Sequence, residues 1–172
     1  MTASQPLRIV RNPRLIAASD ADLAAQFRLA IEARDKTSEA NKLVLAIREL
    51  KKHIQDRVAT AKDPDVSAAA EGIETKLSRV EEEVYQVRNR SPRDTLNYPI
   101  KLNNQLSFLL DVVETGDYRP TDQTAAVLRE LTGKLADLRA QFDAAIRIEL
   151  ERLNDGLRAR KWKTVDGSTL LK

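Results

Sequence analysis

The sequence predicts an all-α protein, an antiparallel up-down four-helix bundle with two long and two shorter helices. Three observations carry that class. Glycine is scarce, 5 in 172 residues, and aromatic residues make up only 4% while charged residues reach 32%, the balance of long amphipathic helices. Neither proline nor glycine occurs from Ser19 to Ala61. Apolar residues recur at alternating spacings of three and four along most of the chain, the seam of helices packed at a shallow angle.

Residues 1–18 read as an extended N-terminal arm or linker. Pro6 and Pro13 bracket Leu7-Arg8-Ile9-Val10-Arg11, and proline disfavours helix in the residue before it. The bundle is expected over residues 19–163. Ser19 is an N-cap, with Asp20 and Asp22 in the first turn where the helix dipole favours acids. The first helix then runs to about Ala61. Its stripe holds Leu23, Phe27 and Ile31, then Leu43, Ile47, Leu50, Ile54 and Val58, with a polar interval from Glu32 to Lys42 between them.

Asp63-Pro64-Asp65 starts the second helix, since proline suits the first turn. Its seam is Val66, Ala70, Ile73, Leu77, Val80, Val84 and Val87, and it ends before Pro92. A shorter third helix begins near Pro99 on Leu102, Leu106, Leu109, Leu110 and Val113, and Gly116 stops it. Thr121 caps the fourth, whose stripe runs from Leu128 and Leu131 through Leu135, Leu138, Phe142, Ile146, Leu150 and Leu153 to Leu157. This helix is expected to reach about Lys163, with Gly133 inside it at a propensity cost of roughly 1 kcal/mol. Residues 164–172 lack the pattern and are expected to be a frayed tail.

Two expectations about surfaces follow. Folding the chain back about Asp63 sets Ser38 beside Arg88, so the break after the second helix faces the polar interval. Arg34, Asp35, Ser38 and Asn41 are then expected to meet Arg93, Asp94, Asn97, Tyr98, Asn103 and Asn104 in a polar corner. The first and fourth helices, each about 40 residues or roughly 60 Å long, outreach the shorter pair. Their ends are expected to project as a two-helix arm. Leu23, Phe27, Ile31, Ile146, Leu150, Leu153 and Leu157 would form an incompletely buried docking face on it.

Little points to chemistry. His53 is the only histidine, and Glu49 four residues before it does not make the paired Glu-x-x-His set of a bundle metal site. No metal, cofactor or catalytic residue is assigned. Cysteine is absent, which excludes disulfides and thiolate sites. No Gly-rich phosphate loop or Gly-x-Ser-x-Gly occurs. Glu81-Glu82-Glu83 reads as a solvated face. Asn89-Arg90-Ser91 fits the N-glycosylation pattern, but Pro92 follows it. The 29 basic and 26 acidic residues are mixed along the chain, so the net charge of +3 concerns solubility and not nucleic acid. The basic end Arg158–Lys163 with Trp162 leaves nucleic-acid binding as a weaker alternative. No apolar run approaches the ~18 residues of a membrane span, and Met1–Pro13 has no apolar signal core.

Three stretches resemble a known family. Glu82–Asn104, including Arg88-Asn89-Arg90-Ser91-Pro92-Arg93-Asp94-Thr95-Leu96-Asn97-Tyr98-Pro99-Ile100, is similar to the C-terminal helical region of bacterial sortilin-like BNR-repeat β-propeller proteins, often described as glycosyl hydrolases. Ala33–Asn41 and Gly116–Gln123 resemble the same region, in the same order. The resemblance implies an accessory bundle that follows a propeller, in a secreted or cell-envelope setting. No Ser-x-Asp-x-Gly-x-x-Trp box occurs, so no hydrolase activity is carried over to these residues. The expected function is a non-catalytic interaction module whose partner is a protein, either an upstream β-propeller domain or a second copy in a homodimer. The alternative is a ligand-contacting accessory domain of a secreted glycosyl hydrolase-like enzyme.

Overall fold

The computed structural model describes residues 4–14 and 16–167. Residues 1–3 and 15 of the expected arm and residues 168–172 of the expected tail lie outside the described residues. The fold is all-α. Helix α1 spans Asp20–Ala61, α2 Pro64–Val84, α3 Leu102–Glu114 and α4 Asp122–Ala144. A π-helical turn, Ala145–Leu150, carries α4 without a break into α5, Glu151–Ala159. Two long rods and two shorter helices are therefore present, as the composition and seams predict.

The helix starts follow their caps. Ser19 and Asp22 form a reciprocal capping box, Asp63 accepts from Asp65 and Val66, and Thr121 accepts from Thr124. Gly116, two residues past the end of α3, takes φ 86°, a left-handed conformation that favours glycine.

Directions follow from contacts across the helices. Glu81 reaches Arg48 and Lys51, and Asn103 meets Asn41, while Gln26 donates to the carbonyls of Val113 and Gly116. Both α2 and α3 thus run antiparallel to α1, α2 along its C-terminal half and α3 along its N-terminal half. On the other side Arg160 holds Asp63 and Lys76 pairs with Glu149, so the α4–α5 rod is antiparallel to α2. The two short helices lie end to end, and together they match the length of the rods beside them.

This arrangement corrects the expected projecting arm. With α2 and α3 in tandem, neither rod is left uncovered. Ile146, Leu150, Leu153 and Leu157 are buried in the main core with Ile54, Val66 and Ile73, and do not form a docking face. Leu23 and Ile31 are half-buried, and only Phe27 of that set is exposed.

The π-turn has a cause in the seam. Leu128, Leu135 and Phe142 are seven residues apart, as are Leu150 and Leu157, but Phe142 and Leu150 are eight apart. In an unbroken α-helix that extra residue would swing the stripe by about 100°. A π-turn takes up one extra residue, and all five side chains stay buried.

Helix α2 stops earlier than its seam predicts. Tyr85 is extended, φ −134° and ψ 142°, and Val87 is exposed. Lys101 pairs with Glu83 at 3.2 Å, so α3 begins beside the last turn of α2, and Leu102 takes up the buried seam where Val84 leaves it. The chain between loops outward, with a 3-10 turn at Pro92–Leu96.

The tail expected to fray is seated as far as Gly167. Lys161 turns left-handed, φ 60°, and the Trp162 N–H donates to the Leu157 carbonyl at 2.9 Å. The chain then doubles back. Val165 is buried, and Gly167 passes so close to Leu150 that a Cβ there would lie 2.6 Å from Leu150 Cδ2.

Candidate functional site

The expected polar corner assembles only in part. Asn103 Nδ2 donates to Asn41 Oδ1 at 3.2 Å, and this is the one hydrogen bond that joins the two groups among the described residues. Arg34 turns instead to Asp35, Nη2 to Oδ1 at 2.6 Å, and the Ser38 hydroxyl donates back to the Arg34 carbonyl at 3.0 Å. Arg34 and Asp35 satisfy each other and Ser38 is satisfied by its own helix's backbone, so all three stay out of the corner. Arg93 and Asn97 are exposed. Asp94 accepts from the N–H groups of Arg90 and Ser91, which hold its carboxyl below the usual range. That is turn capping, not ligand geometry. Tyr98 lies 5.8 Å below the Arg88 guanidinium, and Asn104 is half-buried.

What does hold the break is a set that the seams do not reveal. Gln86 is buried and donates to the Pro99 carbonyl at 2.9 Å, while its Oε1 accepts from the Arg88 N–H at 3.3 Å. One amide therefore ties the two ends of the outward loop. One turn earlier, Glu81 is buried as well, which corrects the solvated-face reading for this residue; Glu82 and Glu83 are exposed. Arg48 Nε and Lys51 Nζ each reach a Glu81 oxygen at 2.7 Å, and Arg48 also stacks 4.9 Å over Tyr85. Burial by itself would raise the Glu81 carboxyl. The donors on Lys51 and Arg48 outweigh it and hold the group below its ordinary value.

A groove of about 470 Å³ opens beside the break, between the start of α3 and the middle of α4. Pro99, Ile100, Leu102 and Leu138 give it apolar walls, with Lys101, Lys134 and Asp137 at its rim. Asn103 Oδ1 and Asn89 Oδ1, neither of which lines the groove, are buried without a hydrogen-bond partner.

The second organising amide is Asn154. It is buried on α5, donates through Nδ2 to the Val165 carbonyl at 2.9 Å, and accepts at Oδ1 from the Val165 N–H at 2.8 Å. This gives the returning tail the pair of bonds that a neighbouring strand would supply. An Asn154→Ala variant leaves both Val165 groups unpaired, with an expected cost of about 2 kcal/mol. Amide exchange at Val165 should rise well before the bundle itself opens. Equal protection in both proteins would refute the clamp. The signal in the sequence was a lone amide between Leu153 and Leu157, on an otherwise apolar face.

The basic end is largely committed within the fold. Arg160 pairs with Asp63 at 2.6 Å and Asp65 at 3.1 Å, and Arg158 with Asp155 at 2.7 Å and with Glu151. His53 and Glu49 are exposed, and no group of three or more metal-ligating side chains occurs among the described residues. Nor is any described helix long and apolar enough to cross a membrane. No protein-family model, curated protein or solved structure matches the chain.

Proposed function

We propose that this chain is a non-catalytic helical interaction module that docks onto another protein domain or onto a second copy of itself. The observation that supports this reading is a contrast in burial. The bundle's interior is filled, yet Phe27, Leu45 and Phe108 are 64–67% exposed. Phe27 and Leu45 are eighteen residues apart, five full turns, so they stand in line on the outer side of α1 with Ile31 close to that line. Phe27 and Ile31 line one shallow groove with Arg28, Glu32 and Lys36, an apolar spot rimmed by polar residues of the kind that marks a contact surface. Leu45 stands about 27 Å further along the same side. The resemblance to the helical region behind sortilin-like propellers favours a β-propeller as the partner and a secreted or envelope setting.

The test is sedimentation equilibrium across a concentration series, with the chain alone and mixed with a sortilin-like β-propeller. The expected result is a complex in one of the two, lost in the Phe27→Lys, Leu45→Lys double variant. Both sites are exposed, so stability should change by less than about 0.5 kcal/mol per substitution. Monomer mass throughout both series would refute the docking reading.

A second reading, a ligand-contacting accessory domain of a hydrolase-like enzyme, draws on the groove at Pro99–Leu102. Its volume lies within the range of small-molecule sites. Alanine at Lys101, Gln105 or Lys134 of the groove that impairs only the turnover of a full-length enzyme, with folding intact, would favour it.

A further inference from the structure

The four residues Leu7–Val10 lie outside any helix, and none of their backbone donors or acceptors has a hydrogen-bond partner among the described residues. Their apolar side chains are in the open: Leu7 is 87% exposed, Ile9 88% and Val10 65%. Pro6 and Pro13 bound the stretch, and proline is tolerated at strand ends and not within a ladder. The base of the stretch is fixed. Arg11 donates to the Ala18 carbonyl and pairs with Asp20 at 3.1 Å, next to the capped start of α1. A proline-bracketed arm that reads as extended, with its peptide groups unpaired, is suited to take a neighbouring strand. The bundle has no strand among its described residues, so the neighbour must come from elsewhere.

Charge indicates what that neighbour carries. Residues 1–19 contain Arg8, Arg11 and Arg14 and no acid. Without those three, the 29 basic residues fall to 26, equal to the 26 acids. The whole net charge of +3 therefore resides in the arm, and the helical body is neutral.

We propose that Leu7–Arg11 is a donor strand that adds to the open edge of a β-sheet in a partner domain, with acidic side chains along that edge. Backbone pairing supplies the affinity, Leu7 and Ile9 on one face fix the register, and Arg8 on the other, with Arg14 just beyond the strand, selects an acidic rim. An anionic membrane surface is the weaker candidate. Four unpaired peptide groups would enter the interface without partners, which is costly in lipid. This inference rests on the docking reading above but uses a different part of the chain.

The probe is a designed β-hairpin peptide whose outer strand alternates glutamate and valine, added to the full 172-residue chain. Three strands are enough for a sheet to persist where two are marginal. Amide exchange is expected to slow at alternate residues of Leu7–Arg11, and added salt should weaken binding. Of Ile9→Pro and Val10→Pro, the variant that removes an inward-facing N–H should bind at least about tenfold more weakly than the other. Both lie outside the helices, so helix content serves as the folding control. Uniform exchange across the arm at saturating hairpin would overturn the proposal. So would equal binding of a lysine–valine hairpin, or association with phosphatidylserine vesicles in place of the hairpin. The Phe27→Lys, Leu45→Lys variant keeps hairpin binding if the arm acts as described, so a failed docking face and a failed donor strand give different results.

Discussion

Leu153→Ala is expected to destabilise the bundle by about 3–4 kcal/mol, with Tm lower by roughly 10 °C. Leu153 is fully buried, and it shares the core with Leu150, Leu157, Val66 and Ile54. Removing three carbons there loses their transfer from water and leaves a cavity that rigid neighbours close only in part. On a projecting two-helix arm the same change would cost well under 1 kcal/mol and would alter association instead. Urea unfolding of the variant therefore decides between core and docking face for Ile146, Leu150, Leu153 and Leu157 together. A change below about 1 kcal/mol would place them back on the surface.

Glu81→Ala is the second large effect, about 2 kcal/mol at neutral pH. Removing a buried partner strands the cations that face it, here Arg48 and Lys51. The estimate is below that for a fully enclosed pair because the Arg48 side chain is 48% exposed and solvent screens it. The effect has a defined pH dependence. The folded carboxyl titrates below its ordinary value of 4.5, so its contribution is complete above that pH and fades as the pH falls through the lower folded value. The stability gap between wild type and Glu81→Gln should accordingly be largest near pH 7 and shrink below pH 4.5. A gap that stays constant with pH would show that Glu81 acts through packing and not through its charge.

Most of the helical framework is legible in the residues. Ser19, Asp63 and Thr121 mark three helix starts because an N-cap is a local device that needs no distant partner. The spacing of eight between Phe142 and Leu150 even carries the π-turn, though it passes as an ordinary stripe until the turn is seen. Glu81 was within reach too. The same fold-back about Asp63 that sets Ser38 near Arg88 also brings Arg48 near Glu81. A run of three glutamates concealed it, since only one of the three faces inward.

The candidate site was less legible. Asn41 and Asn103 meet, but Arg34, Asp35 and Ser38 are as polar and as near in sequence, and they close on each other instead. Polar character shows that a side chain needs a partner and leaves open which one it takes. Gln86 and Asn154 hold the loop and the tail through contacts with Pro99 and Val165, thirteen and eleven residues away. No helical period reports a contact of that kind.

By itself the sequence determined the class, the caps, the seams, and the concentration of net charge in the first nineteen residues, because each depends on residues close together in the chain. Tertiary structure alone decided that the two short helices lie end to end. That placement buries Leu150, Leu153 and Leu157, because helices joined by a long loop can pack side by side or in line with the same seams. Local spacing is identical in the two cases, and only the length of apolar groove offered by the rods on either side selects between them.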